Sequence, residues 1–212
     1  ALWTNNRSQP FNGITQRFTV SLPSTLKKIE RDFNSCTNLT AVTFPEKGVL
    51  EKVDGWAFSG CSSLESIVFP NNAKTKFYDG SFNNCYALTS VVLGNKTDRL
   101  DGRVFNNCRA LTEIVIPASV VQVGNSLDVQ GAAFNGCSKL AKVTFLGTDT
   151  EILPADASAI PTNAVLCGFK GSTAEIYADT YERTFSDLEE TADYVAYQTT
   201  ALENKIVDGV KK

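Results

Sequence analysis

A pattern of Phe, Cys, Leu and Val recurs five times at fixed internal spacing, and nothing else in the sequence restricts the fold as tightly. Phe33, Cys36, Leu39, Val42 and Phe44 are followed in the same phase by Phe58, Cys61, Leu64, Ile67 and Phe69. Three more copies run through Phe82, Cys85, Leu88, Val91 and Leu93, then Phe105, Cys108, Leu111, Ile114 and Ile116, then Phe134, Cys137, Leu140, Val143 and Phe145. The cysteines stand 25, 24, 23 and 29 residues apart, and periods of roughly 20–50 residues mark arrays in which each unit stacks on the next. No unit of this size hides its own apolar face, so stability belongs to neighbouring pairs rather than to single copies.

Within a copy, alternation of apolar and small or polar residues from Ala41 to Phe44 is the period-two signature of a half-buried strand. Val42 and Phe44 then point inward, as do their counterparts in the other copies. Pro45, Pro70 and Pro117 stop the strand because proline has no N–H to donate; Gly94 and Leu146 stand in their place elsewhere. A second apolar set on the return side, Leu50, Val53, Leu100, Val120 and Val123, leads into turns at Asp54-Gly55, Asp79-Gly80, Asp101-Gly102 and Gly131. The Phe of each motif is expected to fill the corner of its coil.

Degenerate strand-like copies at Phe18, Val20 and Leu22 and at 164–168 flank the five clear ones, as terminal repeats do. The expected architecture is a right-handed repeat solenoid of about seven short β coils. It divides into an N-terminal cap segment at 1–17, the array at 18–168, and a helical C-terminal cap and tail at 169–212. Ser172 and Glu175 form a capping-box pattern that opens a helix running to about Tyr181. Ser186 and Glu189 repeat that start signal, and Leu188, Ala192, Val195, Leu202 and Ile206 give a second helix a partial apolar stripe ending near Gly209. These helices either cover the open end of the array or dock on a partner or a second copy. The insertion at 125–130 reads as a surface excursion, with a binding loop as the alternative.

Charge and composition narrow the function classes. The 212 residues carry a net charge of −3, which denies the broad positive field that phosphate backbones require; no nucleic-acid partner is expected. With no His at all, His-based triads, dyads and zinc sites are unavailable. No apolar run reaches the roughly 18 residues of a membrane span, and the opening at Ala1, without a basic-then-apolar leader, reads as a mature or trimmed chain.

The F-x-x-C-x-x-L-x-x-V-x-F-P unit resembles the leucine-rich repeat of the BspA type, over about residues 18–185. The stretch from Val165 to Ala178 is similar to the segment that often closes such arrays. The resemblance implies a secreted or surface protein of host-associated bacteria or protozoan parasites, involved in attachment to host matrix proteins or other cells, with no family-wide catalytic residue. Repeat folds host unrelated ligands, however, so the site has to be argued from residues.

The cysteine row reads as reduced, buried thiols, although the coil spacing does not forbid a disulfide; zinc binding lacks its convergent ligand pairs. Asp54, Asp79 and Asp101 read as turn residues in preference to calcium ligands. Strand phase points Thr43, Val68, Val92, Val115 and Thr144 outward as one row, flanked by Ala41, Ser66, Ser90, Glu113 and Lys142. β-branched residues suit exposed strand positions in any case, but a smooth, partly apolar face of this kind also marks protein-binding surfaces. The expected function is therefore a non-enzymatic, cofactor-free extracellular or cell-surface adhesion module. It would bind a host or neighbouring-cell protein through Val68, Val92 and Val115 at the centre, with Thr43, Thr144, Ser66, Ser90, Glu113 and Lys142 around them. Glycan is a second choice, since Trp3 and Trp56 fall off this face. The alternative is a structural spacer or assembly unit of a larger surface protein, with weak self-association through the C-terminal helix.

Overall fold

A computed structural model describes residues 10–71, 74–125 and 131–190. Each coil carries a longer strand on one side and a two-residue strand on the return side. The first side holds β1 (Phe18–Ser21), β3 (Leu39–Thr43), β5 (Ser66–Val68) and β7 (Ser90–Val92) in one parallel sheet. It continues with β9 (Glu113–Ile116), β11 (Lys142–Phe145), β13 (Val165–Gly168) and β14 (Phe185–Asp187) in a second. The return side is a single six-stranded sheet of β2 (Lys28–Ile29), β4 (Lys52–Val53), β6 (Lys76–Phe77), β8 (Arg99–Leu100), β10 (Gln122–Val123) and β12 (Glu151–Ile152). No ladder joins β7 to β9, so the strand face has a seam where the return face has none.

The core follows the repeat. Phe33, Phe58, Phe82, Phe105 and Phe134 are all fully buried, with successive ring centroids 5.0, 5.0, 5.5 and 5.8 Å apart and planes within 16° of parallel. Burying each ring contributes roughly 1.5–3 kcal/mol. Phe11, which sequence spacing leaves in the N-terminal segment, stacks on Phe33 at 5.0 Å and heads the column. Ile29, Val53, Phe77, Leu100 and Val123 fill the return side.

The cysteine is explained by its hydrogen bond. Cys61, Cys85, Cys108 and Cys137 each donate from Sγ to the carbonyl of the Phe one coil back, Phe33, Phe58, Phe82 and Phe105, at 3.0–3.3 Å. A small side chain thus fills the corner and satisfies a buried carbonyl at once. All six cysteines are free and buried. Burial pushes the Cys36 thiol up to about 11 and Cys137 up to about 12, and Cys61, Cys85 and Cys108 also rise. A low-pKa nucleophile is the opposite case.

The third position of F-x-x-C adopts left-handed backbone in every clear copy, at Ser35, Gly60, Asn84, Asn107 and Gly136, with φ between 59° and 77°. Gly and Asn dominate that position because they tolerate this region best.

The C-terminal expectation needs one correction. Helix α1 (Thr173–Thr180) forms as the capping box implies, with Ser172 Oγ accepting from the Glu175 N–H and Glu175 accepting from the Gly171 N–H. Ser186, however, lies in β14 rather than at a helix start, because Phe185, Ser186 and Asp187 pair with Leu166, Cys167 and Gly168. Among the described residues one 3-10 turn, Leu188–Glu190, follows. A register of three paired residues outweighs a local capping signal. Ala192, Val195, Leu202, Ile206 and Gly209 lie outside the described residues, as do Trp3 and 126–130 of the insertion.

Candidate interaction face

On the strand side, inward residues hold the outward ones in register. Val42 pairs with Ile67 and Ile67 with Val91, which sets Val68 directly beside Val92 and Ser66 beside Ser90. Further along, Glu113 pairs with Lys142 and Val115 with Thr144. Val68 is 57% and Val92 48% exposed; Thr43, Ser66, Ser90 and Glu113 are also exposed, and Ala41 and Lys142 half-buried. Thr43 Oγ1 donates to Ser21 Oγ at 2.9 Å across the coils. The exposed part of the face is therefore a pair of valines between hydroxyl side chains; Glu65, the residue before Ser66, pairs with Arg17.

Two predicted members of the row depart from expectation. Val115 is half-buried, and Thr144 is 1% exposed. Thr144 sits between Val115 on β9 and Cys167 on β13, and Cys167, also outward-facing by register, is itself 3% exposed. At this end the sheet is covered on both faces. Strands covered on both faces read as unbroken apolar runs, and Val165, Leu166 and Cys167 form such a run. That signal was present in the sequence and marks where the open face stops.

The turn carboxylates have local work. Asp54 Oδ1 and Asp101 Oδ1 each accept the N–H of the following glycine at 2.9 Å. Asp79 is held by both Nε and Nη2 of Arg103, at 2.8 and 2.6 Å. Burial raises the Asp54 carboxyl, but the Gly55 N–H and Lys52 outweigh it and leave it below its ordinary value. No group of three or more metal-ligating side chains occurs among the described residues.

Spacing did not draw attention to one further row. Lys28, Lys52, Lys76 and Arg99 lie in register on the outside of the return sheet. Like charges facing each other across strands repel, and each is answered by a nearby carboxylate. Lys28 meets Glu30, Lys52 meets Asp54 at 3.1 Å, Lys76 meets Asp98 at 3.3 Å and Arg99 approaches Asp101 at 3.9 Å. The repeating triplet of cation, apolar residue and acid at 28–30, 52–54 and 99–101 was the available signal. This face is a self-neutralised lattice, whereas the valine face is nearly uncharged.

Comparison with known proteins agrees with this geometry. No curated protein matches the chain. A leucine rich repeat protein of T. pallidum aligns in structure over 72% of this chain and 69% of its own, at 22% identity and a TM-score of 0.54. A leucine-rich repeat protein of Bacteroides ovatus aligns at 23% identity and a TM-score of 0.50, covering 74% of this chain and 47% of its own length. At such identities these likenesses establish the fold. Leucine-rich repeat arrays serve in general as non-enzymatic protein-interaction modules. The model of the BspA type leucine rich repeat region matches residues 7–127 in six copies, so the chain belongs to the BspA-type leucine-rich repeat family.

Proposed function

We propose that this chain is an adhesion module of a secreted or cell-surface protein, binding a partner protein on a host or neighbouring cell through the open half of its strand face. The observation that carries the reading is the register-matched pair Val68 and Val92, two apolar side chains about half exposed on a flat sheet. Exposed contiguous apolar surface of this kind favours protein partners. Ser66, Ser90, Thr43 and Glu113 supply hydrogen-bonding groups at its rim, and Val115 and Lys142 extend it toward the covered end. Thr144 takes no part, because it is buried.

The test is binding of the purified chain to immobilised extracellular matrix proteins and to whole cells, with Val92→Glu in parallel. Saturable binding weakened by about tenfold or more, corresponding to about 1.4 kcal/mol, is the expected result. Equal binding by the variant removes the strand face from the reading. Absence of binding to every surface in the panel removes adhesion altogether.

A further inference from the structure

We propose that a cationic lip beside the valine face selects the chemistry of the partner: the segment docked there is an acidic stretch of a protein, with carboxylates next to its apolar residues. The inference rests on the adhesion reading of that face and names what the face accepts. Tyr86 and Arg109 stand in equivalent places, immediately after Cys85 and Cys108, on the turns that lead into β7 and β9. Both are exposed, Tyr86 at 43%. The Arg109 guanidinium reaches back over the Tyr86 ring, 5.0 Å from its centroid, and so leans onto the coil that carries Val92. Six residues of chain separate Tyr86 from Val92, no more than about 20 Å when extended.

The charges around the face do not cancel. Between each repeat cysteine and the end of the strand that follows it, the charged side chains are Glu65, Arg109, Glu113, Lys139 and Lys142. Glu65 pairs with Arg17, and Glu113 lies across the ladder from Lys142. Arg109 and Lys139 are left over. Both are exposed, and neither side chain has an ion pair or hydrogen bond among the described residues. With Arg17 included, four cations stand against two carboxylates, an excess of two positive charges in a chain whose net charge is −3. On the return face, by contrast, Lys28, Lys52, Lys76 and Arg99 each have a carboxylate close by.

This arrangement suits a carboxylate supplied from outside. A guanidinium presents its N–H donors in a fixed fork that matches both oxygens of a carboxylate. Its contact with Tyr86 holds it in place before binding, so less side-chain freedom is lost when the partner arrives. Tyr and Arg are also the side chain types that most often carry the energy of protein interfaces. Excess positive charge at the lip speeds encounter with an acidic segment and opposes a basic one.

Short synthetic peptides in which valine alternates with glutamate, glutamine or lysine are the probes, with binding to the whole chain followed by calorimetry. The glutamate peptide should bind about tenfold more tightly than the glutamine peptide, and the preference should shrink as salt rises. Arg109→Gln combined with Lys139→Gln, with circular dichroism to verify the fold, should abolish the preference. Tyr86→Ala, which keeps every charge but removes the ring beneath the guanidinium, should reduce it by about threefold. Equal binding of the glutamate and lysine peptides, a preference unchanged in the doubly substituted chain, or no saturable binding of the glutamate peptide overturns the proposal. If Val92→Ser weakens all three peptides alike and no charge preference exists, the valine face stands and only its acidic partner falls. If Val92→Ser leaves every affinity unchanged, the valine face falls and the proposal with it.

Discussion

Val92 and Thr144 occupy the same outward position of the same repeat, and yet one is 48% and the other 1% exposed. Between them run the seam at β7 and β9 and the half-buried Val115. The repeat decides which way a side chain points, because strand periodicity is two and register is set by the inward residues. Whether that direction leads to solvent is decided by chain that does not repeat. Near Thr144 the array has acquired β13, β14 and the buried Leu188, and its outward row becomes interior.

The sharpest way to break this comparison is to put the same charge at both positions. Thr144→Glu buries a carboxylate with no cation designed to meet it and should destabilise the fold by about 3 kcal/mol or more. Val92→Glu should stay within about 0.5 kcal/mol of the parent. Urea unfolding followed by circular dichroism measures both, and equal losses would show that the two halves of the row do not differ in burial.

Thiol chemistry sharpens it further. Val92→Cys should react with a water-soluble disulfide reagent on the order of 100-fold faster than native Cys167, which reacts only after local opening. The five cysteines of the repeat should be equally slow. Their raised thiol pKa values favour the neutral form in the folded state, so their contribution to stability is complete below the unfolded value of about 8.5 and fades as pH rises above it. Rapid labelling of Cys167 in the unmodified chain would place it on an open surface.

The smallest effect is expected from the ion pairs on the return face. Asp98 is raised by burial but lowered more by Lys74 and Lys76, and Asp54 is lowered in the same balance. Because both folded values lie below the unfolded one near 3.9, their stabilisation is present above that pH and disappears as pH falls through the folded values. Asp98→Asn should cost about 1 kcal/mol or less at neutral pH and reduce the acid sensitivity of unfolding. Unchanged acid sensitivity would assign it to other carboxylates.

Much of this fold could be read from residues alone because one side chain type returns to one place: Phe to the stacked column, Cys to the carbonyl behind it, Val or Ile to the inner strand face. What escaped was where the pattern bends its own rules. Phe11 heads the column, but Ile14 and Arg17 stand where Cys and Leu recur, so the first coil hid from a motif search. Ser186 presented a helix start that Phe185 overrode by pairing with Leu166. Thr144 looked like a surface residue because strand phase points it away from Val143; phase gives the direction of a side chain, and at this end that direction does not lead to solvent. Trp56 was visible, but the Arg103 guanidinium over its ring, 5.4 Å from the centroid, comes from a coil brought there only by folding.

The seam also has a mechanical meaning. Along the return side, six strands are stitched by continuous hydrogen bonding, while on the other side the stitching stops once, between Val92 and Glu113. Separation of the two coils at that point is still opposed by turn hydrogen bonds, from the Phe82 N–H to the Val104 carbonyl and from the Asn84 N–H to the Asn106 carbonyl, both at 2.8 Å. The array is therefore laddered without a break along one hem and interrupted once along the other, and the interruption lies at the border of the exposed valines.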